Sequence, residues 1–296
     1  MKVLILGSTG MLGYALVKEA RTRNFEVRGI ARKGADICVD ISNDQEIRTV
    51  IESERPDAII NTIAIVNIDE CEMHPDRAYL INARPASICA EICRNLDIYY
   101  IHISTDHFYA QDGEKKHDEQ HPIKIINEYA RTKYAGECFA LTNPHALVVR
   151  TNIVGFHYST VEQPTFVEWI INALEQDEAI TLFDDYFASS IDVLQFSRLL
   201  FDLIKKEPGG VINVACRDVR CKKDFIEALA RQLNHKLSHA STGRVSEWKG
   251  VPRGASLGLD VTKAEKILEY RLPGFEQVVT SLVNEYRLKK RSGSEL

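Results

Sequence analysis

Tyr129 and Lys133, in the run Tyr129-Ala130-Arg131-Thr132-Lys133, are the pair whose types and spacing point to proton transfer. On a helix, residues four apart share a face about one turn apart. A phenol ordinarily titrates near pH ~10, and a fixed ammonium beside it favours the phenolate, which makes it a better proton donor. Upstream lies Ser104-Thr105-Asp106, where Thr105 offers a second hydroxyl to the same oxygen. Such a group moves a proton onto or off a carbonyl or alcohol oxygen. The spacing alone also occurs by chance on solvated helix faces, so the reading depends on the elements that position the pair.

The first of these is Gly7-Ser8-Thr9-Gly10-Met11-Leu12-Gly13, which follows the apolar run Val3–Leu6 and opens a helical pattern. Strand, glycine turn and helix in that order form a dinucleotide fingerprint. Gly7 permits the tight turn, Gly10 lets a pyrophosphate approach the backbone amides beside Thr9, Met11 and Leu12, and Gly13 lets the helix pack close. A plain tight turn is the alternative. After the second strand, an NAD reader places an acid for the ribose hydroxyls, but the sequence there is Arg28-Gly29-Ile30-Ala31-Arg32-Lys33. Arg32 and Lys33 offer positive charge to a 2′-phosphate, so the expected cofactor is NADP(H). Asp40 and Ile41 fall where the adenine is expected.

Strand and helix signals alternate through the first half. Strands are expected at 3–6, 26–30, 39–41, 58–62, 98–103 and 147–149. A helix capped by Ser42 and a long helix from Pro75 to about Asn95 lie among them. Continuous apolar strands separated by helices predict an α/β fold, a Rossmann-type doubly wound parallel sheet. The expected NADP-binding domain is 1–155, completed by about 190–215. Residues 156–189 and 216–296 are the expected smaller, partly interleaved C-terminal substrate-binding part.

The chain has 296 residues, 45% hydrophobic and 27% charged, as in ordinary globular proteins. A formal net charge of −5 gives no general attraction to nucleic acid or an anionic membrane. No apolar run approaches the ~20 residues that span a bilayer, and Val3–Leu6 is too short for a signal-peptide core. Seven cysteines without a Cys-x-x-Cys suggest free thiols and a reducing, cytoplasmic setting. Cys89 and Cys93 are read as buried packing and His235 and His239 as a solvated segment, so no metal is expected.

Taken together, several motifs resemble the extended short-chain dehydrogenase/reductase family, and within it the dTDP-4-dehydrorhamnose reductases. They are the glycine turn, Val66-x-x-Asp69-x-x-Glu72, Asn82, Ser104-Thr105-Asp106, Tyr129-x-x-Thr132-Lys133-x-x-Gly136-Glu137, Arg150-Thr151 and Pro252-Arg253-x-x-Ser256-x-x-Leu259-Asp260. The resemblance covers nearly the whole chain. It implies an NADPH-dependent reductase acting on the 4-keto group of a nucleotide-linked 6-deoxy sugar, in carbohydrate biosynthesis. Tyr129 would be the general acid, Lys133 would bond the nicotinamide ribose, and Thr105 would bond the reacting oxygen. Thr62 and Ala64, past the fourth strand, would line the cofactor. Val66, His107, Asn152, Ile153 and Arg253 would meet the substrate. Asn82 would support the active-site backbone, the alternative being a mid-helix polar residue facing solvent. A homodimer is usual for such folds.

The chain departs from that family's pattern at three places. His107 stands where the reductases usually have Tyr, Ile153 falls where they often have Trp, and 184–190 replaces an Asp-Gln-x-Gly-x-Pro-Thr stretch. All three border the expected substrate, so the sugar or nucleotide is the part expected to differ. Two other readings stay open: a nucleotide-sugar epimerase or dehydratase with bound NAD, and a non-catalytic regulatory subunit like methionine adenosyltransferase β.

Overall fold

Continuous apolar runs become buried parallel strands because both faces of the sheet they join are covered by helices. The computed structural model describes residues 1–109, 112–158 and 163–292. In chain order the first elements are β1 (Lys2–Leu6), α1 (Met11–Thr22), β2 (Glu26–Ala31), β3 (Ile37–Cys38), α2 (Asp44–Glu54), β4 (Ala58–Asn61), α3 (Ile68–Met73), α4 (Pro75–Asn82), α5 (Arg84–Leu96), β5 (Tyr99–Ile103), α6 (Glu128–Ala140) and β6 (Ala146–Arg150). Then come β7 (Ile153–Val154), α7 (Phe166–Glu175), β8 (Ile180–Phe183), β9 (Phe187–Ala188), β10 (Ile191–Asp192), α8 (Val193–Ile204), β11 (Gly210–Asn213), β12 (Arg220–Cys221), α9 (Lys222–Leu233), β13 (Ala240–Gly243), β14 (Ser256–Leu257), α10 (Thr262–Leu268) and α11 (Phe275–Ser292).

The chain divides into two compact units. The first holds 1–105, 125–150 and 197–213 and contains the seven-stranded sheet, ordered β11-β6-β5-β4-β1-β2-β3 with every pairing parallel. The strand order reverses between β1 and β4, and ligands of such sheets bind at the carboxyl ends beside that reversal. One core cluster joins Leu4, Ile59, Tyr100 and Val148 of the strands to Ile88, Cys89, Ile92 and Cys93 of α5. Burial pushes the Cys89 thiol up to about 12, so both cysteines serve as apolar packing.

The second unit holds 106–124, 151–196 and 214–296. It contains the pair β7–β10, the group β12-β9-β14 and the pair β8–β13. Relative to the expected division, 106–124, 151–155 and 190–196 fall in this unit. His117 N donates to Gly258 O (2.9 Å), and Ile191 N donates to Asn152 O (2.8 Å).

Three local expectations are corrected. The third strand is Ile37–Cys38, not 39–41. Asp40 turns the chain there, accepting from Ser42 N and Oγ at 2.9 and 2.8 Å. With Ser42 so engaged, Asn43 caps α2 by accepting from the Gln45 and Glu46 amides. The long helix from Pro75 to about Asn95 is two segments, α4 and α5, broken at Ala83. Pro85 explains the break: it has no N–H to continue the ladder to Ile81 O and sits readily in the first turn of a new helix.

Candidate active site

Gly7 adopts φ +85°, open to glycine, and a Cβ there would lie 2.6 Å from Thr62 Oγ1. A Cβ on Gly13 would lie 2.1 Å from Gly7 O, so α1 can approach β1 only without one. Gly10 differs: its Cβ would meet only Gly7 O, at an ordinary 3.4 Å. The fold itself therefore tolerates a side chain at Gly10, and the open space beside it suits an approaching ligand. Gly10 is the N-cap of α1, with no side-chain cap bond and no acid in the first turn. The amides of Met11 and Leu12 thus present an unneutralised positive helix end, which suits a diphosphate. By contrast α2 carries Asn43, Asp44 and Glu46 at its start. The loop is held by Gly7 and Ser8 amides donating to Ile30 O at 2.8 and 3.1 Å.

Beyond β2, Arg32 and Lys33 are exposed. The carboxylate that follows them, Asp36, accepts from Gly29 N at 2.7 Å and lies 3.8 Å from Arg21, so it is engaged by the fold. Gly34 sits with its Cβ position 3.9 Å from Thr9, which brings this loop beside the glycine turn. The bonds from Ser42, and then the charge of Arg32, hold the Asp40 carboxyl below its usual value. Ile41 is buried in the core, leaving its backbone for any ligand contact. Thr62 spends its hydroxyl on Leu6 O (2.7 Å). Ala64 is half-buried and Val66 strongly exposed, an apolar side chain 69% accessible just before α3.

Tyr129 and Lys133 lie on α6, both buried at 8% and 3% exposure, and Thr105 at the end of β5 is buried at 3%. Lys133 Nζ donates to Ile103 O at 2.7 Å, reaching the strand that leads into Thr105. Burial pushes the Lys133 ammonium down to about 8, against the opposing charge of Glu137. At neutral pH the group remains mainly protonated. His102 on β5 stays neutral, its value driven down by burial and by the charge of Lys133.

Four contacts fix α6. Asn127 caps it by accepting from Ala130 N (2.8 Å), and Glu72 accepts from Glu128 N (3.0 Å). Asn82 Nδ2 donates to Thr132 Oγ1 (3.0 Å) and to Ile65 O (3.1 Å), while its Oδ1 accepts from Ile65 N (2.7 Å). Buried and at the end of α4, Asn82 therefore supports backbone and does not face solvent. Glu137 pairs with Arg150 of β6 through Nε–Oε1 (2.9 Å) and NH2–Oε2 (2.8 Å), both side chains buried. Gly136 allows the close packing: its Cβ would lie 2.8 Å from Asn82 O and 2.9 Å from His102 Nε2. Glu72, Glu137 and Arg150 are visible in the sequence as motif letters, but only their spatial partners reveal what they do.

In the second unit, Asp106 is buried and accepts from Asn152 Nδ2 at 2.7 Å. Asn152 Oδ1 in turn accepts from Ser190 Oγ (2.7 Å). His107 Nε2 lies 3.9 Å from Asp106 Oδ1. Burial, then the charges of Lys222 and Arg253, push His107 down to about 4, so it is a neutral imidazole at physiological pH. Lys222 stands over the Phe166 ring (3.8 Å) and Arg253 over Trp248 (5.0 Å). Burial pushes the Lys222 ammonium down to about 8. Lys222 is a member of this constellation that sequence reasoning misses; only a cation starting a helix signals it. Ile153 begins β7, paired with Ile191. In 184–190, Asp185 accepts from Val245 N (2.7 Å) and Ser189 Oγ from Leu259 N (3.1 Å), so part of that stretch serves the unit's own packing.

Comparison with known proteins matches residues 1–288 to the family model described as RmlD substrate binding domain. The chain is 27% identical over 232 residues to the spore coat polysaccharide biosynthesis protein SpsK of Bacillus subtilis, covering 78% of this chain and 79% of that protein. It is 28% identical to a dTDP-4-keto-6-deoxy-D-glucose reductase of Streptomyces niveus, over 71% of each. A dTDP-4-dehydrorhamnose reductase of Bacillus anthracis, solved in complex with NADP, superposes with a TM-score of 0.87 at 24% identity, over 96% of this chain and 99% of that one.

Proposed function

This chain belongs to the RmlD substrate binding domain family, and we propose that it reduces the 4-keto group of a nucleotide-linked 6-deoxy sugar with NADPH. It is an oxidoreductase of the extended short-chain dehydrogenase/reductase type. The observation that carries the reading is the burial of Tyr129 and Lys133 on one helix, with Lys133 Nζ 2.7 Å from Ile103 O on the strand that leads to Thr105. Bound at the glycine turn, NADPH supplies the hydride. The uncapped amides of Met11 and Leu12, the side-chain-free approach at Gly10 and the exposed cations Arg32 and Lys33 fit its phosphates.

Tyr129 delivers the proton to the carbonyl oxygen as negative charge develops there, and Thr105 hydrogen-bonds the same oxygen. The Lys133 ammonium supports the phenolate left behind. Val66, His107, Asn152, Ile153 and Arg253 are assigned to substrate recognition. A neutral His107 offers that recognition a hydrogen bond without a charge.

The test is NADPH oxidation with a dTDP-4-keto-6-deoxyhexose. Tyr129→Phe should lose about 10²–10⁴-fold in rate, the usual worth of general acid catalysis. Absence of turnover with every 4-keto nucleotide sugar tried would overturn the reading. Recovery of a stoichiometric protein partner alongside that absence would favour a regulatory role.

A further inference from the structure

We propose that Asp112, His117 and His121 form a site for a divalent transition-metal ion in the second unit. Each offers one ligand atom, and these atoms all lie within 4.8 Å of one another. The sequence hides this grouping, because 112–121 is a series of turns and not a helix, so the four-residue histidine spacing carries no geometric message.

The argument turns on His117, which is fully buried. Its Nδ1 lies 2.7 Å from Gly258 O. A carbonyl oxygen only accepts, so Nδ1 holds the proton there. In the neutral ring Nε2 then carries a lone pair, and it faces Asp112 Oδ1 at 3.1 Å and Oδ2 at 3.4 Å. Two lone pairs at that distance repel unless a proton or a cation lies between them.

A cation there could be shared with a third donor. The structure supplies one: a ring nitrogen of His121 lies within 4.8 Å of the other two ligand atoms, its ring 4.5 Å from that of His117 at 67°. The surroundings are those of a metal ligand set. A backbone carbonyl fixes the His117 tautomer, and Ser256 Oγ lies 2.6 Å from both Asp112 Oδ1 and Gly113 O, its one proton shared between them, which holds the carboxylate in place. Tyr109 stacks on His117 at 4.3 Å and 4°, fixing the ring plane.

Two imidazoles and one carboxylate suit zinc, cobalt or nickel ahead of magnesium or calcium, with a fourth position left to water. The ion would fasten the 112–121 turn to the stretch 256–260. That stretch already holds His117 through its backbone: His117 N to Gly258 O and Asp260 N to His117 O, each 2.9 Å.

The test uses the full chain without a histidine tag, stripped of metal by a chelator. Cobalt(II) is titrated and read by its visible d–d bands, and zinc is titrated by calorimetry. The expected result is one equivalent bound, cobalt bands of low coordination number and a raised thermal midpoint. His121→Ala and Asp112→Asn should each abolish the bands, while Ser256→Ala should weaken affinity about 10–100-fold. Circular dichroism checks that the variants fold. Absence of cobalt bands in the folded wild type overturns the proposal. So does binding that survives both ligand substitutions, or magnesium binding as tightly as zinc.

Discussion

Asn82 joins Thr132 to the backbone of Ile65: its amide nitrogen meets Thr132 Oγ1 at 3.0 Å, and its carbonyl oxygen takes the Ile65 amide at 2.7 Å. Fifty residues apart in sequence, Asn82 and Thr132 thereby tie the segment after β4 to the helix that carries Tyr129 and Lys133. Asn82→Ala leaves part-buried backbone groups of Ile65 without their partner, each costing up to about 1–3 kcal/mol. The variant should unfold at lower urea concentration. Because Tyr129 shares α6 with Thr132, kcat should fall on the order of 10²-fold, the scale expected when reacting groups shift by about 1 Å.

Gly10 and Gly13 should respond differently to alanine. Gly13→Ala places a Cβ 2.1 Å from Gly7 O, so the expected outcome is poor folding, seen as loss of soluble protein or a lowered Tm. Gly10→Ala meets only ordinary contact within the chain and should fold. Its NADPH affinity should nevertheless fall roughly tenfold or more, about 1.4 kcal/mol, measured by fluorescence titration.

Lys133 links rate and stability to pH. Its ammonium is pushed down to about 8, so kcat/KM for reduction should decline as pH rises through about 8. The sign for stability is opposite. The unfolded chain holds this proton up to about 10.4, the folded chain only to about 8, so the unfolded state binds more protons between them and folding gains as pH rises. Below pH 8 the buried charge costs on the order of 3 kcal/mol, and a variant that removes it gains less than this because Ile103 O loses its donor. Lys133→Met should therefore be inactive yet more stable than wild type at pH 7. The difference in urea midpoint should narrow toward pH 10.

Glu137→Gln should be severe. Removing one partner of a buried ion pair costs about 3–5 kcal/mol, because the other charge stays buried. Here the remaining charge is Arg150, whose guanidinium Glu137 engages through two oxygens. Pairing the change with Arg150→Met should recover part of the loss, as the denaturation midpoints of the single and double variants would show.

What was legible in the sequence was what depends on neighbours along the chain. Val3–Leu6 and Ala58–Asn61 declare buried strands through continuous apolar runs, and the glycine turn declares itself by its place between strand and helix. What was not legible depends on distant partners. Ser42 has the right chemistry for a cap but is engaged by Asp40, so Asn43 takes the role. The helix from Pro75 carries an unbroken apolar stripe, and Pro85, which divides it, competes with that stripe. His107 could be read as donor or as packing, but its neutrality follows from burial and from Lys222 and Arg253, more than 100 residues away.

The ties on α6 have a consequence for how such a protein can diversify. Glu72 holds its first turn, Asn82 its middle and Arg150 its third turn, each from a different element, while Gly136 sets its distance from β5. A helix pinned at three heights can neither slide nor roll. The face that bears Tyr129 and Lys133 is then inherited as a single unit, and a substitution that altered its angle would have to break several bonds at once. Change accumulates more easily where a side chain is exposed, as Val66 is. Such a chain keeps that face fixed while its exposed positions drift.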